Sequence, residues 1–309
     1  MSHNEHETRS TFAPPLALAS EWRGHREGVR AMASSPDGKW VASADLGRRI
    51  HLWKHGALHL AFDPLPFWER FPSSRRVHAI AFSNDSTKLF VAMTDRICAY
   101  DVSTGRRLWR FRPRRVLAFM ANAPVGLSVN PMSGLFAASF EDGHIGFFDA
   151  DGKGQEMWFD NDAPRFLGFT RDGTRMVGTD GHALCIWDLA THAKLAKKVP
   201  SDRIYALALS PVADVSAIRT LYAVSVWNLE SGHELARLRT GSGLPLISFS
   251  PTANILAVSE RGKVTLFDFD GNAIGAAYVP NAEVLSLCFC SNGILVGCSD
   301  GTIRQFGIG

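Results

Sequence analysis

Three histidines, His51, His55 and His59, recur at every fourth position of the sequence. On a helix this spacing would bring the three imidazoles to one face, where they could bind Zn²⁺. The residues around them alternate between apolar and polar, however, and this pattern predicts a strand followed by a turn. Successive side chains of a strand point to opposite faces. We therefore expect exposed strand and turn histidines here rather than a metal site.

Residues 105–115 form the most basic stretch of the chain and contain six arginines and no acidic residue. The arginines are Arg106, Arg107, Arg110, Arg112, Arg114 and Arg115. Trp109 and Phe111 alternate with them, which predicts a strand that packs its aromatic rings inward and exposes its guanidinium groups. Such a row could bind an acidic protein surface, a phosphorylated segment or nucleic acid. It could equally be a solvated strand whose arginine stems cover apolar surface.

A cluster of aromatic residues and prolines precedes the basic stretch, between residues 62 and 71. Prolines stiffen a loop and so lower the entropy that it loses on docking. We expect Phe67 and Trp68 to act as apolar anchors for a partner, with Arg70 beside them, because aromatic residues and arginine dominate interface hot spots.

Sequence signatures of enzymes and of metal or cofactor sites are missing. The chain has no phosphate-binding G-x-x-x-x-G-K-[ST] loop, no G-x-S-x-G elbow and no H-E-x-x-H pair. Its five cysteines contain no C-x-x-C pair and lie in apolar runs, so buried cysteines are favoured over a thiolate metal site. We expect no cofactor, no metal and no enzymatic activity. An enzyme whose catalytic groups come from several parts of the chain remains an alternative.

The overall composition is that of a folded protein in water. The 33 basic and 30 acidic residues leave a formal net charge of +3, and 46% of the residues are hydrophobic, which excludes a highly charged disordered protein. No apolar run reaches the 18 or so residues of a transmembrane helix. The first fifteen residues are polar, lack the apolar core of a secretory signal and predict a flexible tail. We expect a cytoplasmic protein that does not contact membranes.

One unit recurs seven times along the chain: three short apolar runs separated by turns, the third run ending in an aromatic residue. These closing aromatics lie 39 to 48 residues apart and are Trp53, Tyr100, Phe148, Trp187, Trp227, Phe267 and Phe306. Alternating apolar residues and Asp-Gly turns predict antiparallel strands throughout. His144 and His182 each follow an Asp-Gly turn in adjacent units, so we expect both on one rim, either as solvated turn residues or as a proton or metal site.

This unit resembles the WD40 repeat, whose period is about 40 to 45 residues with four strands per propeller blade. Gly24-His25 is similar to the Gly-His of that family, and residues 34–38 are similar to its first hairpin turn. Trp187-Asp188 matches its closing dipeptide, and Trp227-Asn228 is a relaxed version of it. The resemblance extends over residues 16–309. It implies an all-β fold, a seven-bladed β-propeller.

The resemblance also implies a buried hydrogen-bonded tetrad made of a His, a strand Ser or Thr, a turn Asp and the closing Trp. Only the first unit provides all four, as His25, Ser43, Asp45 and Trp53, with Asp45 two positions earlier than is usual in the family. The other units must rely on apolar packing between neighbouring sheets. The fifth unit departs furthest, because it lacks the glycine of the first hairpin.

Closure of the ring requires a strand from the start of the chain. Three residues follow Phe306, too few for the outer strand of the last blade. We predict that the alternating segment from about residue 15 to residue 24 supplies this strand and so protects the sheet edges. Residues 1–15 would then be a flexible tail and residues 16–309 one domain.

The resemblance implies a scaffold, since WD40 proteins mostly bind other proteins through their rims and channel mouths. We expect a monomer within a larger complex, whose partner subunits present an acidic surface to the long connections of blades 1 to 3. A nucleic-acid-binding subunit of a ribonucleoprotein or defence complex is the first alternative, because basic stripes with aromatics bind single strands. An enzyme with a site at the channel mouth is the second.

Overall fold

The structure is a computed structural model, and it describes most of the chain. The described residues are 13–65, 76–113, 123–159, 166–179, 181–198, 203–241 and 245–308. Within them the chain forms β-strands and turns that assemble into seven four-stranded antiparallel sheets. The predicted all-β fold and its seven blades are confirmed. No helix in this part of the chain is long and apolar enough to cross a membrane.

The strand bounds follow the predicted units. Strand β1 is Leu18–Trp22. Blade 1 contains β2 (Val29–Ser34), β3 (Trp40–Asp45), β4 (Ile50–Lys54) and β5 (Ala57–Phe62); blade 2 contains β6 (Val77–Phe82), β7 (Lys88–Met93), β8 (Arg96–Asp101) and β9 (Arg107–Phe111). Blade 3 contains β10 (Pro124–Val129), β11 (Phe136–Phe140), β12 (His144–Phe148) and β13 (Gly154–Phe159); blade 4 contains β14 (Phe166–Phe169), β15 (Arg175–Thr179), β16 (Ala183–Asp188) and β17 (Lys194–Lys198).

The remaining strands complete the ring. Blade 5 contains β18 (Ala206–Leu209), β19 (Val215–Arg219), β20 (Ala223–Asn228) and β21 (Glu234–Arg239); blade 6 contains β22 (Ile247–Phe249), β23 (Leu256–Glu260), β24 (Lys263–Phe267) and β25 (Ala273–Tyr278). Blade 7 contains β26 (Val284–Cys290), β27 (Gly293–Cys298), β28 (Ile303–Phe306) and, from the start of the chain, β1.

Each blade is an antiparallel meander, so its loops divide between two faces of the disc. The hairpins between second and third strands lie on the same face as the connections from one blade to the next, and we call this the connection face. The first and last hairpins of each blade lie on the opposite face.

Side chains of Ser, Thr and Asp shape the first hairpin of several blades. In blade 1 the Ser35 hydroxyl donates to Asp37 Oδ1 over 2.6 Å and accepts from the Trp40 N–H over 2.9 Å. Thr170 and Asp172 form the same turn in blade 4. Blade 5 lacks the hairpin glycine, yet its turn forms because Ser210 Oγ accepts from the backbone N–H groups of the following residues. Local side-chain hydrogen bonds thus replace the missing glycine.

In blades 2 to 6 the residue after the closing aromatic is Asp or Asn, and it caps the last hairpin of its blade. Asp188 Oδ1 accepts the N–H groups of residues 190 and 191, and Asn228 Oδ1 accepts those of residues 230 and 231. Asp101 and Asp268 act in the same way. This Asx-turn chemistry is the physical reason why Asp or Asn follows the closing aromatic.

The hydrophobic core lies between adjacent blades. Phe90 and Ile97 of blade 2, for example, pack against Phe136, Phe140 and Phe148 of blade 3. The rings of Phe90 and Phe136 lie 4.4 Å apart. Because both faces of a blade are covered by neighbours, most residues of the second and third strands are buried.

Strand β1 closes the ring as predicted. It pairs antiparallel with β28, in a register that places Leu18 opposite Phe306 and Trp22 opposite Ile303. Blade 7 also bonds directly to blade 1, because the Ser286 hydroxyl donates to the Val29 carbonyl over 2.7 Å. Residues 1–12, most of the predicted tail, lie outside the described residues, so their flexibility stays a prediction.

Candidate functional site

Strand β9 is the outer strand of blade 2, and its side chains alternate between the core and the solvent. The Trp109 ring stacks on Phe136 of blade 3, with centroids 5.8 Å apart and planes 7° from parallel, and its Nε1 donates to the Ala150 carbonyl. Phe111 meets Phe148 edge-on at 4.8 Å. Both aromatics therefore pack against the core between blades 2 and 3.

The arginines of this strand lie on the outside. Arg106, Arg107, Arg110 and Arg112 are all exposed, and we call these four residues the arginine surface. Leu108 is also 45% exposed. Leu108, Arg110 and Arg112 alternate with the inward aromatics, so they lie on the face of blade 2 that is turned away from blade 3. Arg114 and Arg115 lie outside the described residues.

The long connection from blade 1 to blade 2, residues 63–76, begins close to the arginine surface. Its first residues are anchored, because Leu65 is buried and the Tyr100 hydroxyl of blade 2 donates to the Pro64 carbonyl over 2.9 Å. Phe67, Trp68 and Arg70 lie outside the described residues. The connection from blade 2 to blade 3, residues 112–123, is also long, and residues 112, 113 and 123 of it are described. The extra length of the first two units thus lies between blades.

The four tetrad residues of blade 1 form one buried hydrogen-bonded chain. His25 Nε2 lies 2.7 Å from Ser43 Oγ, and His25 Nδ1 lies 3.0 Å from Asp45 Oδ2. Trp53 Nε1 donates to Ser43 Oγ over 2.8 Å. The network joins the β1–β2 connection to β3 and β4. All four residues are buried, so the network is a structural element and offers nothing to a ligand.

His51 corrects one expectation. We expected an exposed strand histidine, but the residue is only 2% exposed and its ring stacks on that of His25, with centroids 3.7 Å apart. Burial lowers the pKa of His51 to about 4, and the neighbouring His25 contributes. The expectation failed because β4 is the third strand of its blade and both of its faces are covered. His55 and His59 are exposed, at the turn and on β5.

The two rim histidines occupy equivalent hairpins of blades 3 and 4 on the connection face. His144 Nδ1 lies 2.9 Å from the carboxylate of Asp142, and the ring is partly exposed. His182 is exposed and precedes β16. Among the residues described, no group of three or more His, Cys, Asp or Glu side chains could hold a metal ion.

Two other features were not anticipated from the sequence. His78 on the inner strand β6 lies 3.2 Å from Thr94 Oγ1, and burial together with Arg30 lowers its pKa. A cleft of about 790 Å³ opens on the connection face of blades 5 to 7, where Glu260 and Glu283 contribute to its lining. The sequence pattern does not reveal the environment of a single histidine in an alternating strand. It also does not reveal a cleft between turns that are far apart in the sequence.

The closing tryptophans of blades 4 and 5 are structural. Trp187 is buried, with the ammonium group of Lys194 over its ring at 5.6 Å. Trp227 is half-buried and packs between blades 4 and 5.

Fold and site together define a seven-bladed β-propeller with an arginine-rich outer strand. The family profile described as WD domain, G-beta repeat matches residues 17–54 and residues 277–306. The two segments are neighbours in the ring, because β1 completes the last blade and leads into the first. The chain is therefore a seven-bladed propeller with two segments similar to WD40 repeats, and WD40 propellers generally serve as protein-interaction scaffolds. A search of curated proteins finds no match.

Proposed function

We propose that this protein is a non-catalytic scaffold that binds an acidic partner subunit through the arginine surface of blade 2 and the adjoining long connections. The observation that carries the proposal is the arrangement of β9 and its two flanking residues, in which the partly buried aromatics pack against blade 3 while four arginines are exposed. A planar guanidinium binds carboxylates in bidentate geometry and selects negatively charged partners. The partner complex would be cytoplasmic and would contain a single copy of this chain.

The position of the aromatic rings favours a protein over nucleic acid. Proteins that bind single strands stack bases on exposed aromatic side chains. Here Trp109 stacks on Phe136 and Phe111 meets Phe148 edge-on, so both rings are partly buried against the next blade and offer bases less surface than exposed rings would. Arginines alone would still attract phosphates, and a nucleic-acid control therefore belongs in the test.

The test compares two sets of outer-strand arginines in the native cell. The first variant replaces the arginine surface, Arg106→Gln, Arg107→Gln, Arg110→Gln and Arg112→Gln. The matched control replaces Arg237→Gln and Arg239→Gln on β21, the equivalent strand of blade 5, where Arg237 already forms an ion pair with Glu234 at 2.7 Å. Each tagged protein is purified from cells that lack the wild-type chain, and co-purifying proteins and nucleic acid are quantified.

We expect the first variant to lose a stoichiometric partner protein that the wild type and the β21 control both retain. All three proteins should melt at the same temperature, since exposed arginines contribute little to stability. Retention of every partner by the first variant would refute the proposal. So would the loss of bound nucleic acid in place of a protein.

A further inference from the structure

The outer edge of blade 6 already carries an added strand. Pro15 forms a parallel bridge with Ala276 of β25. The Leu16 N–H donates to the Ala276 carbonyl over 2.7 Å, and the Ala276 N–H donates to the Pro14 carbonyl over 2.8 Å. Leu16 fits over Gly275, where a Cβ would collide with the leucine side chain. The outer edge of a blade in this protein can therefore bind an extended segment through backbone hydrogen bonds.

Strand β9 offers a comparable edge on blade 2. The strand order β6-β7-β8-β9 places it outermost, so every second backbone N–H and C=O group points away from the sheet. Trp109 and Phe111 hold the strand against blade 3 and thus keep this edge in place. The exposed face beside the edge carries Leu108, Arg110 and Arg112 at alternate positions.

Charge distinguishes this edge from the other outer strands for which ion pairs are described. Strand β21 itself contains an acidic residue, Glu234, which forms an ion pair with Arg237. The stretch from Gly105 to Arg115 contains six arginines and no acidic residue, so this edge carries a net positive charge that complements an acidic segment. An added strand places its side chains about 5 Å from those of its neighbour, at the same period of two.

We propose that the edge of β9 binds an extended acidic segment of the partner protein as a fifth strand of blade 2. The segment runs parallel to β9, as residues 14–16 run parallel to β25, and carries Asp or Glu at every second position. Its backbone bonds to the outward groups of β9, and its carboxylates pair with Arg110 and Arg112. This inference rests on the proposed function, since it specifies how that surface recognises its partner.

Synthetic peptides separate strand addition from charge attraction alone. The probe is a capped nine-residue peptide in which Glu and Val alternate. A second peptide has the same sequence with N-methyl groups on every second residue, which removes backbone donors but keeps the charge. A third has Gln in place of Glu. A fourth peptide has the sequence of the first with the N-methyl groups on the other alternate residues, because either set of N–H groups can face β9.

Binding is measured by isothermal titration calorimetry at low salt with the full chain. We expect the unmodified peptide to bind. One of the two methylated peptides and the Gln peptide should each bind at least about tenfold more weakly than the unmodified peptide. Arg110→Gln with Arg112→Gln should weaken the unmodified peptide by about tenfold, while Arg237→Gln with Arg239→Gln should change nothing. Hydrogen exchange of the amides of residues 107–111 should slow when the peptide binds.

Three results would overturn the inference. These are no binding of any peptide, binding of both methylated peptides as tightly as the unmodified peptide, and unchanged hydrogen exchange of β9. If the methylated peptides bind equally while the arginine variant still loses its native partner, the proposed function stands and strand addition is wrong. If the variant keeps its partner, the proposed function itself fails. Self-association that depends on Arg110 and Arg112 would assign the edge to a second copy of the chain.

Discussion

Acidification should destabilise this propeller through His51. The ring is buried beneath the exposed Gly24 and stacked on His25, and its pKa in the folded protein is about 4. An unfolded histidine has a pKa of about 6.5. Between these two values the unfolded chain binds a proton at this position that the folded protein does not bind. The free energy of unfolding therefore falls as the pH falls through this window.

The size of the effect follows from the pKa difference. At about 1.4 kcal/mol per pH unit, the shift from 6.5 to about 4 corresponds to about 3 kcal/mol. We expect about 2 kcal/mol, because water beside Gly24 screens the charge of the protonated ring. Above about pH 7 both states are neutral and His51 contributes nothing to the pH dependence. Below about pH 4 both states are protonated, and the loss from this residue is complete.

The assay is urea unfolding followed by tryptophan fluorescence at several pH values between 7 and 4. His51→Phe keeps an aromatic ring on His25 but cannot be protonated, so its free energy of unfolding should fall by about 2 kcal/mol less than that of the wild type over this range. His59→Gln, at an exposed position on β5, is the matched control and should follow the wild type. Equal pH dependence of the wild type and His51→Phe would refute the reasoning.

Three further predictions concern stability. Ser43→Ala breaks the hydrogen bonds to His25 and Trp53 and should lower the free energy of unfolding, measured in urea, by about 2 kcal/mol. Ser216→Ala removes a buried hydroxyl that has no partner among the described residues, so it should lower that free energy by less than about 1 kcal/mol. Equal losses would contradict the role of the tetrad. Gly293→Ala should lower the free energy of unfolding by about 2 kcal/mol or more, because φ is 145° at this residue and a Cβ would collide with the Phe306 carbonyl. Gly307→Ala is the control, because a Cβ there would meet open space, and its Tm should equal that of the wild type. Deletion of residues 1–22 should lower Tm by about 10 °C through loss of β1, while deletion of residues 1–12 should not, and two identical melting curves would rule out a stabilising role for β1.

The sequence was sufficient to predict the architecture of the ring. Seven closing aromatics at similar spacing located the third strand of every blade, because each of them is the last or second-last residue of that strand and packs between neighbouring blades. The shortage of residues after Phe306 indicated that the start of the chain must complete blade 7. Alternation in the basic stretch also separated the two inward aromatics, Trp109 and Phe111, from the arginines.

Features that depend on tertiary contacts could not be predicted in this way. The burial of His51 results from packing of the β1–β2 connection over β4, and the pattern of β4 itself does not reveal it. The sequence pattern predicts one outer strand from about residue 15 to residue 24, and it does not specify that residues 14–16 pair with β25 of blade 6 while β1 continues along blade 7. Ion pairs and clefts between turns of different blades likewise form only when the ring is folded.

Hydrogen exchange of the purified native complex, compared with that of the free chain, tests the central claim most directly. If the protein is a scaffold that docks through blade 2, the amides of residues 105–113 should exchange more slowly in the complex, and those of residues 234–239 on β21 should not change. Slower exchange confined to other blades, or to the connection face of blades 5 to 7, would contradict the account.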